Sequence, residues 1–184
     1  MEKGIAAAAL KGTRHDGTGP HTGAGKSTQI VLWRNGAAMQ LRCKWGLKPA
    51  EMYGNPVHLM RSEGRTITNP CLIIASDFTI DAGKGSRRKR YTATLITDEP
   101  FFCFAGVWRP TEDGWPEAFA ALTVEANLDI APFKDRHMAV VRPDDWQDWL
   151  TQQRPVAELL RPFPKGSFEI SDPAKGGAVV RGLL

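Results

Sequence analysis

Four groups of residues in this 184-residue chain have types and spacing that suggest chemistry. The first, Gly23-Ala24-Gly25-Lys26-Ser27-Thr28, looks like the end of a phosphate-binding loop. Such a loop needs a glycine five positions before the Gly of its Gly-Lys pair, and Pro20 stands there. No buried strand leads in, and Gln29-Ile30-Val31-Leu32-Trp33 leads out as a strand rather than an amphipathic helix, so a nucleotide triphosphate site is rejected. The second group is three cysteines, Cys43, Cys71 and Cys103. Their odd number and lack of C-x-x-C spacing imply neither a zinc cage nor a disulfide framework, and they read as reduced, buried, small apolar residues. The third is the basic run Lys84, Arg87, Arg88, Lys89 and Arg90. The fourth is Lys134 near Arg136: a lysine amine whose pKa is depressed by burial or a neighbouring cation forms a Schiff base with an aldehyde. Neither a metal nor a cofactor is expected.

These residues need a scaffold, and the composition sets its class. A 184-residue chain that is 42% hydrophobic fits one domain with a single core. The net charge of +4 is only mildly basic; its concentration between Lys84 and Arg90 is more telling. The longest apolar runs, at Ile5 to Leu10 and Ala118 to Leu122, fall well short of the roughly 20 residues that span a bilayer. With no secretion signal evident near Lys3, the expected location is cytoplasmic.

The periodicity predicts a succession of strands. Gln29 to Arg34 and Ala38 to Lys44 flank Asn35-Gly36, a hairpin signal because both residues tolerate the positive φ of tight turns. Cys71 to Ile80, Tyr91 to Thr97, Phe101 to Val107, Ala118 to Val124 and His137 to Val141 supply further β-branched and aromatic runs. Helix is expected briefly at Ala126 to Ala131, after Pro143-Asp144-Asp145, and at Val156 to Leu160, with Pro155 ending the middle one. The expected fold is α+β, a β-rich single domain with a curved, largely antiparallel sheet and few helices. Residues 1–28, rich in Gly, Thr and His, are expected as a flexible segment, 29–170 as the domain and 171–184 as a loose tail.

Six short segments carry a more specific signal: Lys44-Trp45-Gly46-Leu47-Lys48-Pro49, Arg61-Ser62-Glu63, Cys71 to Phe78, Phe104-Ala105-Gly106-Val107-Trp108, Thr123-Val124-Glu125-Ala126-Asn127 and Asp135-Arg136. In this order and spacing the chain resembles the SRAP family of SOS response-associated peptidases, the abasic-site processing proteins, from about Ile30 to Pro164. The resemblance implies an SRAP-like fold and single-stranded or abasic-site DNA as partner. In that family a cysteine after the initiator Met attacks the abasic aldehyde, its amine and thiolate together trapping the aldehyde as a stable ring. Here position 2 is Glu2, and the residues before Trp45 look unlike the family's N-terminal strand region. The family's catalytic Glu falls at Ile80 and its active-site His at Lys134. Ile80 transfers no proton, and His137, three residues from Lys134 on an extended strand, would face the other way; it reads as an insertion that makes a bulge.

The resemblance also implies DNA-contacting positions at Arg61 and Glu63, although the Asn of that motif is replaced by Leu59. Trp45, Arg61, Glu63, Asn127, Lys134 and Arg136 would line the remaining groove. Each has a structural alternative: Trp45 stacks on an unpaired base or belongs to the core, Arg61 and Glu63 contact DNA or pair with each other, and Asp135 and Arg136 form a pair. Lys134 is a Schiff-base amine, a phosphate contact or a solvated lysine. Arg87, Arg88, Lys89 and Arg90 track a phosphate backbone or guard a sheet edge, and Trp108 reads as core. The expectation that follows is a DNA-damage domain that binds single-stranded or abasic DNA with its cysteine cross-linking and self-cleavage lost. Two rivals stand beside it: an enzyme using Lys134 as its amine, and an interaction protein of phage or mobile-element origin that does not bind DNA.

Overall fold

The computed structural model describes residues 23–51 and 53–179; Glu2 lies outside them. The chain opens with the expected hairpin of β1 (Ser27–Arg34) and β2 (Ala37–Trp45). Asn35 and Gly36 turn at φ 54° and 77°, the left-handed region that a two-residue hairpin turn requires. Ahead of β1 the Gly25 N–H donates to the Trp45 carbonyl at 2.8 Å, and the Trp45 N–H to the Lys26 carbonyl at the same distance. The strand after Lys26 confirms that the Gly-Lys motif leads into no helix.

Ten further strands follow: β3 (Leu59–Arg61), β4 (Pro70–Ala75), β5 (Phe78–Ala82), β6 (Lys89–Leu95), β7 (Phe102–Arg109), β8 (Ala118–Glu125), β9 (Arg136–Met138), β10 (Val140–Val141), β11 (Phe168–Asp172) and β12 (Ala178–Val179). Strands β7, β4, β1, β2 and β8 pair in that order, and β8 pairs back with β7, so the ring closes. Pairing is antiparallel except where β2 and β3 run parallel to β8. The second sheet is β12-β11-β6-β5.

The run expected as one strand from Cys71 to Ile80 is two. It breaks at Ser76-Asp77, and its halves enter different sheets. Both faces of the ring are covered, as the unbroken burial of Ile30-Val31-Leu32 and Ala118 to Leu122 demands. One face packs Val31, Leu72, Ala120 and Leu122 beneath Trp146, Trp149, Leu150 and Leu159. The other packs Ile30, Ile73, Phe102, Phe104 and Phe119 against Phe78, Ile80, Ala93, Phe168 and Ile170 of the second sheet.

The helices are α1 (Trp146–Thr151), led in by a 3-10 turn at Pro143–Asp145, and α2 (Val156–Leu159) after Pro155. Where a helix was expected over 126–131, Asn127 instead caps a series of turns, its Oδ1 accepting the Ile130 N–H at 3.2 Å and its carbonyl the Ala131 N–H at 2.9 Å. Within the segment expected as a tail, β11 and β12 pair. Ser171 pairs with Val179 and Asp172 with Ala178, and the Asp172 carboxylate accepts the Ala174 N–H. No helix among the described residues is long and apolar enough to cross a membrane.

Candidate nucleic-acid interface

Strand β8 is the axis of the candidate site. Beyond its contacts with β2 and β7 it carries β3 on one side, with Arg61 opposite Thr123, and β9 on the other, with Met138 opposite Thr123. The two flanking segments are tied across it by Arg136. Its guanidinium donates to both Glu63 oxygens at 2.7 and 2.9 Å, to the Thr123 carbonyl at 2.7 Å and to Thr123 Oγ1 at 3.2 Å. The Arg136 side chain is only 18% exposed against 52% for Glu63, so the arginine is the fixed half of the pair. Burial raises the Glu63 carboxyl pKa, but the hydrogen bond from Arg136, its own backbone amide and the charges of Arg136 and Arg61 outweigh it and hold the group below its ordinary value. Glu63 thus pairs with Arg136, rather than in either of the alternative pairs, Arg61 with Glu63 and Asp135 with Arg136. Arg61 is exposed and has no acidic partner among the described residues.

Trp45, at the end of β2, is half-buried and pairs with Phe119 of β8, four residues before Thr123. Its ring stacks on Phe119 at 6.0 Å and 12°, and its Nε1 donates to the His58 carbonyl at 2.8 Å. The indole is thereby locked in one orientation, with one face committed to Phe119. Trp108 packs against the same cluster under the Arg34 guanidinium at 5.2 Å.

Asn127 does not reach the bridge. It is buried, and its amide is consumed by Asp129, the Pro164 carbonyl and the Ile130 N–H, which makes it a structural cap. Asp129, which sequence reasoning missed, accepts backbone N–H groups of Gly166, Ser167 and Phe168 at 2.8 to 3.0 Å. Burial raises its carboxyl pKa, and those amides together with Asn127 more than reverse the effect. The contact fastens the exit of β8 to the start of β11, and nothing in the local sequence signals it.

The two positions where the resemblance places acid–base residues are apolar at 80 and exposed at 134. Ile80 is 2% exposed, in the core between the sheets. Lys134 is exposed on the turn before β9, its N–H bonded to the Ile130 carbonyl, with no acidic partner among the described residues. His137 is 6% exposed, stacked on Phe78 at 6.1 Å and edge-on to Phe168 at 5.5 Å. Its Nδ1 lies 2.7 Å from the Met138 carbonyl, while Nε2 is buried with no hydrogen-bond partner among the described residues. Burial, with Arg136 adding to it, holds its pKa below 6.5 despite the Met138 bond. At Ala139 the chain leaves β8 for β7, its N–H bonding the Leu122 carbonyl and its carbonyl receiving the Ala105 N–H.

The basic run divides. Arg88 and Arg90 bind Asp81 at 2.6 and 3.3 Å, and Arg88 leads in holding that carboxyl pKa down. Arg87 and Lys89 have no acidic partner among the described residues. All three cysteines are buried thiols; burial, with Glu117 adding to it, pushes Cys43 up to about 11. No group of metal-ligating side chains occurs among the described residues.

A closed five-strand ring covered by two short helices on one face and a second sheet on the other, with an arginine bridge over one strand, defines a mixed α+β domain of a particular architecture. The family model for SOS response associated peptidase (SRAP) matches residues 23–173, and the chain belongs to that family. Solved structures with the same fold include a protein from Bordetella bronchiseptica, 16% identical with a TM-score of 0.65, over 87% of this chain and 86% of that one. A phage-related protein from the same organism is 19% identical with a TM-score of 0.62, over 87% and 80%. A protein from Bacteroides thetaiotaomicron is 17% identical with a TM-score of 0.58, over 85% and 75%. At these identities the likeness is one of fold. Among curated proteins there is no match.

Proposed function

We propose that this SRAP-family domain binds single-stranded or abasic-site DNA in the response to DNA damage, and that it has lost the family's cysteine-based cross-linking and self-cleavage. The observation that carries the reading is the contrast between two sets of positions. Arg136 and Glu63, at positions where the resemblance implies DNA contact, form a bridge; Arg61 and Lys134, which have no acidic partner among the described residues, and the half-buried Trp45 stand on elements flanking β8. Ile80, at the place of the family's Glu, is sealed in an apolar core where no proton can be exchanged. Binding and chemistry therefore separate: cations attract the phosphate backbone through counterion release, and no general acid or base stands ready.

The test is incubation with a single-stranded oligonucleotide carrying one abasic site, followed by denaturing electrophoresis. No band surviving heat is expected without reductant. A heat-stable adduct in its absence refutes the loss of cross-linking. Borohydride separates the rival in which Lys134 supplies the amine. An adduct that disappears in Lys134→Ala establishes that rival, and absence of one in both proteins leaves binding alone.

A further inference from the structure

The expected DNA-binding run Arg87 to Arg90 is not one surface. In β6, register sets Lys89 opposite Ala82, Arg90 opposite Asp81 and Tyr91 opposite Ile80. Side chains alternate across a strand, so Lys89 and Tyr91 share the face on which Ile80 is buried, and Arg90 lies on the other with Asp81. Charge follows the same division: Asp81 neutralises Arg88 and Arg90, whereas Lys89 has no acidic partner among the described residues.

On the Lys89 face, Tyr91 meets Phe133 with ring centroids 4.8 Å apart and planes tilted by 57°. Both rings are half-buried, anchored against the core between the sheets yet open on one side. Phe133 immediately precedes Lys134, so the contact brings the turn before β9 against β6. Two rings held at their bases, with an exposed lysine from each of the two elements that carry them, match the requirements of an unpaired base and its phosphates: a π-face and cations.

We propose that Tyr91 and Phe133 form a stacking subsite for an unpaired nucleobase, with Lys89 and Lys134 as its phosphate contacts, and that Arg88 and Arg90 serve the sheet edge instead. The subsite rests on the reading of the domain as a single-strand binder and adds residues that the resemblance does not supply. No covalent step is involved.

The experiment is fluorescence anisotropy of a short labelled oligothymidine at low and moderate salt, with the whole chain and the variants Tyr91→Leu, Tyr91→Trp, Lys89→Ser and Arg90→Ser. Tyr91→Leu keeps apolar contact with Phe133 but removes the ring, and is expected to weaken binding roughly tenfold with the salt slope unchanged. Tyr91→Trp restores it. Lys89→Ser weakens binding with a salt slope shallower by about one, and Arg90→Ser leaves both affinity and slope as in the parent. If the parent binds but Lys89→Ser matches it while Arg90→Ser loses affinity, the subsite is wrong and the domain reading survives. If the parent does not bind at all, the domain reading fails and the subsite with it. Should Tyr91→Leu lower the melting temperature, the comparison of Lys89→Ser with Arg90→Ser decides alone, because both positions are exposed.

Discussion

At the scale of single residues, the most exacting position is His137. Its imidazole is wedged between Phe78 and Phe168 with one nitrogen bare, so adding a proton places a charge where burial disfavours it, beside Arg136. The folded pKa lies below the ordinary 6.5. The unfolded chain therefore binds more protons between the two values, and stability is full above 6.5 and falls as pH drops through it. Thermal midpoints measured from about pH 7 to about pH 5 should decline for the parent and stay flat for His137→Phe, a window above the titration of most carboxylates. An equal decline in both would assign the effect elsewhere. Arg136→Ala should cost about 1 to 3 kcal/mol in denaturant unfolding, because it removes charge-assisted bonds to Glu63 and Thr123. Glu63→Gln, at a half-exposed carboxylate, should cost less than 1 kcal/mol, about the worth of an exposed ion pair.

At the scale of elements, closure of the ring depends on how near β7 and β8 can come. A Cβ added to Gly106 would stand 2.8 Å from Ile73 Cδ1, 2.9 Å from Cys71 Sγ and 3.0 Å from the Ala120 carbonyl oxygen. The last is backbone of the paired strand and cannot rotate away, so Gly106→Ala should destabilise by about 1 to 3 kcal/mol as an overpacked site. A melting temperature equal to the parent's would mean that the ring gives more easily than its packing implies. The join between the two sheets is a separate test. Asp129→Ala strips the acceptor from three backbone N–H groups of the 166–168 segment and should loosen β11, visible as faster amide hydrogen exchange at Phe168 before any change at Ile73.

For the whole molecule, the exposed cations Arg61 and Lys134, without acidic partners among the described residues, predict single-strand binding that falls steeply with salt. Ser at Arg61 and Lys134 together should weaken it uniformly across sequences, since phosphate contacts carry no base information. A sequence-dependent loss would point to base readout instead. Trp45→Ala would test stacking but also removes a contact with Phe119 and the His58 bond, so its effect on binding must be read beside its effect on stability.

The segments that name the family are legible in the sequence because each is a local signal. Asn35-Gly36 dictates a hairpin through backbone preference, Pro143 opens the turn that leads into α1, and the ordered Trp-Gly-Leu, Arg-Ser-Glu and Phe-Ala-Gly segments stand at fixed spacing. The nature of the residues at positions 80 and 134 is equally a property of the sequence, and with it the expected loss of acid–base chemistry. What only the tertiary structure decided is who meets whom. Ser76-Asp77 looks like the middle of one strand because hydrophobic periodicity does not record that the chain crosses from one sheet to another. Arg136 finds Glu63, 73 residues away, across a strand pairing that local sequence cannot specify. Asn127 is drawn into the fold by Asp129 and Pro164 and so leaves the groove that its motif suggests. Arg87 to Arg90 read as one charge cluster along the chain. The two-residue period of a strand and a single acid at Asp81 divide them, and that division of faces fixes which cations are paired with Asp81 and which have no acidic partner among the described residues.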